Sequence, residues 1–210
     1  MKRDRKILVL TTLLCLLPML LGALVYDRLP ESMVTHWNLS GEPDGRSGRA
    51  LAVFGLPGLL AGINILMHFA LNADPKRANM SPVLRGVVVW SVPILSILCS
   101  GLTLAWALGH EVRVERIMPC FIGLLLIVIG NYLPKTKQSY TMGIRIPWTL
   151  NSEENWNRTH RLAGFLWVLA GAYFIVMSFF GWNMAAFLIP LFIIGFVPII
   201  YSYLLYRKGI

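Results

Sequence analysis

Apolar residues in this chain run in long unbroken blocks rather than alternating with polar ones. Six blocks of about 17–24 residues stand out: Ile7–Tyr26, Leu51–Leu71, Gly86–Gly109, Ile117–Leu133, Leu162–Gly181 and Met184–Tyr206. A run of about 20 apolar residues is long enough to cross a ~30 Å hydrocarbon core as a helix. The pattern predicts an all-α polytopic membrane bundle with six transmembrane helices. Only Trp182 and Asn183 separate the last two blocks, which predicts a tight helical hairpin. The first block follows Lys2, Arg3, Arg5 and Lys6. It is longer than a signal-peptide core and no A-x-A-like site follows it, so it reads as a retained first span.

Composition agrees: 56% of the 210 residues are hydrophobic and 14% charged, where a soluble domain carries roughly 25% charged residues. The net charge of +9 would suit a nucleic-acid partner if it were concentrated in one domain, but it is spread over the loops. With both termini inside, 14 of the 19 Lys and Arg residues fall in inner segments. The outer loops keep only Arg28, Arg46, Arg49, Arg113 and Arg116. This is the asymmetry of the positive-inside rule. It makes membrane lipid the expected partner of the excess charge and argues against direct nucleic-acid binding. Cys15, Cys99 and Cys120 lie within or beside spans with no C-x-x-C spacing, as small packing residues would.

Two parts are expected along the chain. Residues 1–110 would hold spans 1–3 and an extracellular loop, 27–50. Residues 111–210 would hold spans 4–6 and a cytoplasmic loop, 134–161. Gly55, Gly58 and Gly62 would permit close helix approach in the second span. Polar residues inside the spans need a reason. Asn64 and His68 share one helix face, and Asn131 ends the fourth span. Interhelical hydrogen bonding explains them as well as a functional pathway does.

In the outer loop, His36-Trp37-Asn38 precedes Gly41-x-Pro43-Asp44-Gly45. His36 and Asp44 could meet and bind a metal or a peptide, although a zinc site wants three or four ligands. Trp37 could equally be an interfacial anchor beside an Asx-type turn. No cofactor, metal site or catalytic residue is assigned.

The inner loop carries GIRIPWTLNSEENW, 143–156. Gly143 frees the backbone. Pro147 pushes Ile146 towards an extended conformation, which sets Ile144 and Ile146 on one side and Arg145 on the other. Trp148 and Trp156 suit a membrane interface. Asn151 and Glu154 have the spacing of a capping box, and the helix they would start could run directly into the fifth span. A 28-residue connector is long for a mere link, and one so rich in Trp, Ile and Tyr is not of disordered composition.

On these residues the stretch GNYLPKTKQSYTMGIRIPWTLNSEENWNRTHRLAG, 130–164, resembles the SdpI family of bacterial membrane immunity proteins. THWNLSGEPDG, 35–45, resembles the small membrane domain often found ahead of it. The chain has Gln138-Ser139 where a Pro-Asn is associated with the family. The resemblance implies a multi-pass protein of the bacterial plasma membrane. It would protect its own cell from the sporulation-delaying peptide toxin, and could hold a cytoplasmic transcriptional repressor at the membrane. The matching positions Gly143, Arg145, Pro147, Trp148, Asn155, Trp156 and His160 become candidates for partner binding at the inner loop. His36, Trp37, Asn38 and Asp44 are the candidates facing the toxin.

Two other classes compete. Glu153-Glu154-x-x-x-Arg158 and His68-x-x-x-Asn72 match fragments of the CAAX-type intramembrane proteases, but Asn64 stands where that family has Phe. A small transporter would need repeats around a midplane site, and only Asn64 and His68 hint at one.

Overall fold

The computed structural model describes residues 2–210, with side chains from Asp4 onward. Lys2 and Arg3, counted among the inner charges, therefore have side chains outside the described residues. Helix α1 (Lys2–Leu24) is followed by strands β1 (Ser32–Trp37) and β2 (Pro43–Gly48). Then come α2 (Leu56–Ala73), α3 (Pro82–Ala107), α4 (Val114–Tyr132), the short α5 (Pro147–Asn151), α6 (Glu153–Phe180) and α7 (Met184–Arg207). Among the described residues, all of these helices but α5 are long and apolar enough to cross a membrane, giving six spanning helices. The chain is a multi-pass membrane protein with the expected all-α spans. The β-hairpin between α1 and α2 is an addition that apolar blocks could not reveal, because the polar turn sequence hides its strands.

Contacts divide the chain into two compact units, Met1–Phe69 with Val88–Glu115, and Ala70–Val87 with Arg116–Ile210. In the first, Leu29, Met33, Ala52 and Val53 form a buried cluster, with Val25, Tyr26, Leu104 and Ala107 packed on it. It seats the hairpin on the ends of the helices. Arg49 closes the base of the loop by donating to the Tyr26 and Leu29 carbonyls at 3.1 and 3.2 Å. Its guanidinium also lies 4.4 Å from the Tyr26 ring centre, a cation–π contact.

Polar side chains link α1 to α2 in the first unit. Asn64, fully buried, donates to the hydroxyls of Thr11 and Thr12 at 3.1 and 3.0 Å. The Thr11 hydroxyl is also 3.1 Å from His68 Nε2. Four polar side chains thus join α1 to α2 where hydrocarbon would leave each unsatisfied. Asn131, where interhelical hydrogen bonding is one expectation, is exposed at the last turn of α4.

In the second unit, α4 and α6 meet backbone to backbone. A Cβ added at Gly130 would lie 2.8 Å from the Gly164 carbonyl oxygen, and one at Gly123 would lie 2.6 Å from that of Gly171. The two pairs are seven residues apart on both helices, so one stripe of each helix touches the other. Van der Waals contact between small residues is the main attraction open to helices in lipid. The glycines expected to do this, Gly55 and Gly62, do not: Gly62 has nothing within 4 Å, and Gly55 faces only Leu51 of its own segment. Gly58 does meet a partner, Met19. At the far end of α6, Trp182 closes the hairpin to α7, its ring centre 5.1 Å from Phe174 and 5.9 Å from Phe187.

Gly164→Ala should lower the thermal unfolding midpoint of the detergent-solubilised protein, because overpacking costs about 1–3 kcal/mol. Gly62→Ala, with open space around it, should leave the midpoint unchanged or raise it slightly. Equal effects of the two changes in a fluorescence melt would contradict the glycine stripe.

Candidate functional site

The inner-loop candidates lie in the second unit, on the segment between α4 and α6, and the segment is folded. Its organising group is one the sequence reading did not single out. Asp74, the residue after α2, is buried. Its Oδ2 accepts from the Ser139 hydroxyl at 2.8 Å, the Thr141 hydroxyl at 2.6 Å, and the Tyr140 and Thr141 N–H groups at 3.0 and 2.9 Å. Its Oδ1 accepts from the Lys76 N–H at 2.7 Å. Burial works against the charge, but the hydrogen bonds outweigh it and hold the carboxyl below its ordinary pKa. The only signal in the sequence was a lone acid in an otherwise basic loop, 72–85.

Gln138 adds a second tie. Its side-chain amide donates to the Thr149 carbonyl at 2.9 Å, and its own carbonyl accepts from Asn79 Nδ2 at 2.9 Å. Gln138 and Ser139 are thus two of the residues that fix the loop.

Further along, Gly143 has φ +102°. A Cβ there would meet His160 Nε2 at 2.5 Å and the Trp156 ring at 2.8 Å, so both backbone conformation and space require glycine. Trp156 and His160 stack, ring centres 3.9 Å apart. The Trp156 indole donates to the Thr136 carbonyl at 2.6 Å. His160 Nε2 accepts from the Ile144 N–H at 2.9 Å, which leaves Nδ1 to carry the proton and donate to the Trp156 carbonyl at 2.7 Å. Both rings are buried. Their partners fix one neutral tautomer.

Asn155 is equally internal. Its amide donates to the Ser202 and Ile210 carbonyls at 3.0 and 3.1 Å and accepts from the hydroxyls of Ser202 and Thr159 at 2.6 and 3.1 Å. All its hydrogen-bonding capacity is used. Asn155, Trp156 and His160 therefore support the loop from within, and Gly143 lets the exposed backbone pass close over the two rings.

The residues left for a partner are Arg145, Pro147 and Trp148. Ile146 is extended (φ −116°, ψ 159°) ahead of Pro147, as the proline dictates, and Arg145 points outwards. One guanidinium nitrogen donates to the Tyr140 carbonyl at 2.5 Å, which aims the rest of the fork at solvent. Trp148 is half-buried against Tyr203 and Tyr206, at 5.1 and 6.1 Å between ring centres. Thr149 fixes the turn by donating to the Ile144 carbonyl at 2.7 Å and accepting from the Ile146 N–H at 3.1 Å.

One local expectation is corrected. The N-cap of α6 is Ser152, not Asn151: its hydroxyl accepts from the Asn155 N–H at 3.2 Å. Asn151 belongs to α5, and Ser152 is extended between the two helices, so Glu154 is one place early for a capping box. Its carboxylate instead pairs with Arg158 at 2.5 Å. Glu153 and Glu154 are both exposed. Among the described residues no three His, Cys, Asp or Glu side chains converge on a point that could hold a metal ion.

The outer-loop candidates belong to the first unit. His36 on β1 and Asp44 on β2 do meet, Nδ1 to Oδ1 at 2.5 Å, with both side chains well exposed. Asn38 is a turn former: its Oδ1 accepts from the Ser40 and Glu42 N–H groups at 2.9 and 3.0 Å, an Asx-type turn. Trp37 sits edge-on to Trp106, 6.0 Å between centres, and so is anchored by α3.

Asp74→Asn keeps one acceptor but sets an NH₂ against a backbone N–H. It should cost about 1–3 kcal/mol and expose the 138–146 segment to limited proteolysis. The Asp74 contribution is complete above the ordinary carboxylate pKa of about 3.9. It is lost as pH falls through the lower folded value. Wild-type stability should therefore be insensitive to Asp74 between pH 5 and 8 and lose this contribution only in stronger acid; acid titration of the melting midpoint, with Asp74→Asn as reference, checks both.

Comparison with known proteins places this geometry. Residues 135–202 match the SdpI/YfhL protein family, and residues 13–61 match a domain of unknown function, DUF1648. The chain is 27% identical over 172 residues to the immunity protein SdpI of Bacillus subtilis (strain 168), covering 82% of this chain and 81% of that protein. No solved structure matches. With six spanning helices among the described residues, a match to the SdpI/YfhL family over the α5–α7 region and a DUF1648 match over the hairpin region, the chain is a multi-pass protein of the bacterial plasma membrane whose C-terminal third resembles the SdpI/YfhL family.

Proposed function

We propose that this protein is a membrane immunity protein that protects its own cell from a secreted, membrane-active peptide, without enzymatic chemistry. The observation that carries the reading is the likeness to a protein named for immunity along four-fifths of both chains. The positive-inside asymmetry supports an inner location for the α4–α6 segment and an outer one for the hairpin. On that topology the toxin arrives at the hairpin, where the exposed His36–Asp44 pair offers a charged and hydrogen-bonding surface.

The inner segment suits a cytoplasmic protein partner such as a transcriptional repressor. Arg145 and Trp148 are of the residue types that dominate binding hot spots. Both stand on a loop already held by Asp74, Gln138 and His160, so little ordering entropy opposes binding.

The two roles separate experimentally. A toxin-sensitive bacterium expressing the protein is challenged with the sporulation-delaying peptide and with an unrelated pore-former, alongside a reporter for the repressor. His36→Ala with Asp44→Asn should lose survival against the first peptide alone. Arg145→Ala and Trp148→Ala, at unchanged membrane levels, should keep survival and weaken repressor capture by about 2 kcal/mol or more, roughly 30-fold. Full retention of both readouts in all variants would overturn the assignment. Loss of protection in Glu154→Gln would favour the enzyme.

A further inference from the structure

Helix α6 is longer than a bilayer requires. Its 28 residues extend about 42 Å at 1.5 Å per residue, against a hydrocarbon thickness of ~30 Å. Counting about 20 residues back from Phe180 puts the hydrocarbon boundary near Arg161. The antiparallel α7, joined through Gly181, Trp182 and Asn183, brings Tyr201 to the same level.

An open groove of about 770 Å³ lies there, lined by Asn157, Arg158, Arg161, Leu162, Phe165 and Tyr201. Its two ends differ. Arg158 and Arg161, one turn apart, make the end beyond the boundary basic. Glu154 engages one Nη of Arg158, which leaves most of that guanidinium's five N–H donors open. Arg161 is exposed and, among the described residues, has no hydrogen-bond or ion-pair partner. The other end is apolar: Phe165, one turn further into the hydrocarbon, is 62% exposed. Leu162 and the half-buried Tyr201 flank it.

We propose that this groove is a binding site for a phospholipid of net negative headgroup charge. The lipid phosphate sits between the guanidinium groups of Arg158 and Arg161, whose planar forks match phosphate oxygens. An acyl chain lies along Leu162 and Phe165. Charge complementarity selects an anion. The change from basic to apolar lining over one helical turn, at the depth where headgroup meets hydrocarbon, selects a lipid over a soluble anion.

The test uses the full-length protein in detergent–lipid micelles. Thermal unfolding is compared with phosphatidylglycerol, with phosphatidylcholine, and with phosphatidylcholine plus glycerol phosphate. Native mass spectrometry counts lipids retained from an equal mixture. Phosphatidylglycerol should raise the midpoint above phosphatidylcholine and be retained preferentially, and glycerol phosphate should have no such effect. Arg161→Gln and Arg158→Gln should each remove at least half of the difference, while Lys137→Gln, an equal change in charge at another exposed position, should keep it.

No preference for phosphatidylglycerol, an equal loss in Lys137→Gln, or full stabilisation by glycerol phosphate would each overturn the site. Should Arg161→Gln not accumulate, Phe165→Ala decides by retention: loss of the preference supports the groove, and an unchanged preference overturns it.

Discussion

Hydrocarbon offers no hydrogen-bond partner, so each backbone and side-chain polar group of a membrane protein must find one inside the chain or reach the interface. That constraint governs where this molecule spends its polar residues. Within the spans some pair with one another, as the Asn64 amide nitrogen does with Thr11 and Thr12. Where the chain leaves the helices the demand is greater, because carbonyls and N–H groups of irregular backbone are freed all at once. Asp74 meets it for the segment after α4: one carboxylate takes five donors, three of them backbone N–H groups.

A carboxylate suits this task better than a neutral group would. Its two oxygens accept from several directions, and charge-assisted hydrogen bonds are roughly twice as strong as neutral ones. The charge needs no cation because the donors are themselves dipoles aimed at it. The result is a loop whose interior is assigned in full to structure. Gly143, Trp156 and His160 interlock, and Asn155 ties α6 to α7 and the C-terminal carbonyl. The loop surface keeps an arginine and a tryptophan. Rigid support beneath a few displayed side chains is the arrangement that favours specific recognition.

The same division of labour recurs in the hairpin. Asn38 and Gly41 make its turn, the Leu29–Met33–Val53 cluster seats it, and His36 with Asp44 remains on the surface. Two short displayed surfaces on a largely hydrocarbon scaffold fit the proposed role of binding at a membrane. The α6–α7 groove, basic at one end and aromatic at the other, would give the same scaffold the proposed lipid contact.

The sequence by itself determined the spans, because apolar length against bilayer thickness is a one-dimensional quantity. It also identified the α4–α6 segment as structured and its Ile146–Pro147 step as extended, since proline restricts its predecessor locally. What it left undecided were pairings between distant residues. That Asp74 would reach Ser139 and Thr141, that Gly130 and Gly164 rather than Gly55 or Gly62 would carry helix contact, and that Ser152 would cap α6 in place of Asn151 each depend on which surfaces face one another. The split of the 143–160 candidates into a buried set and an exposed set has the same cause. Residue type marks which groups can bind a partner, but only tertiary structure decides which have already been bound by the protein itself.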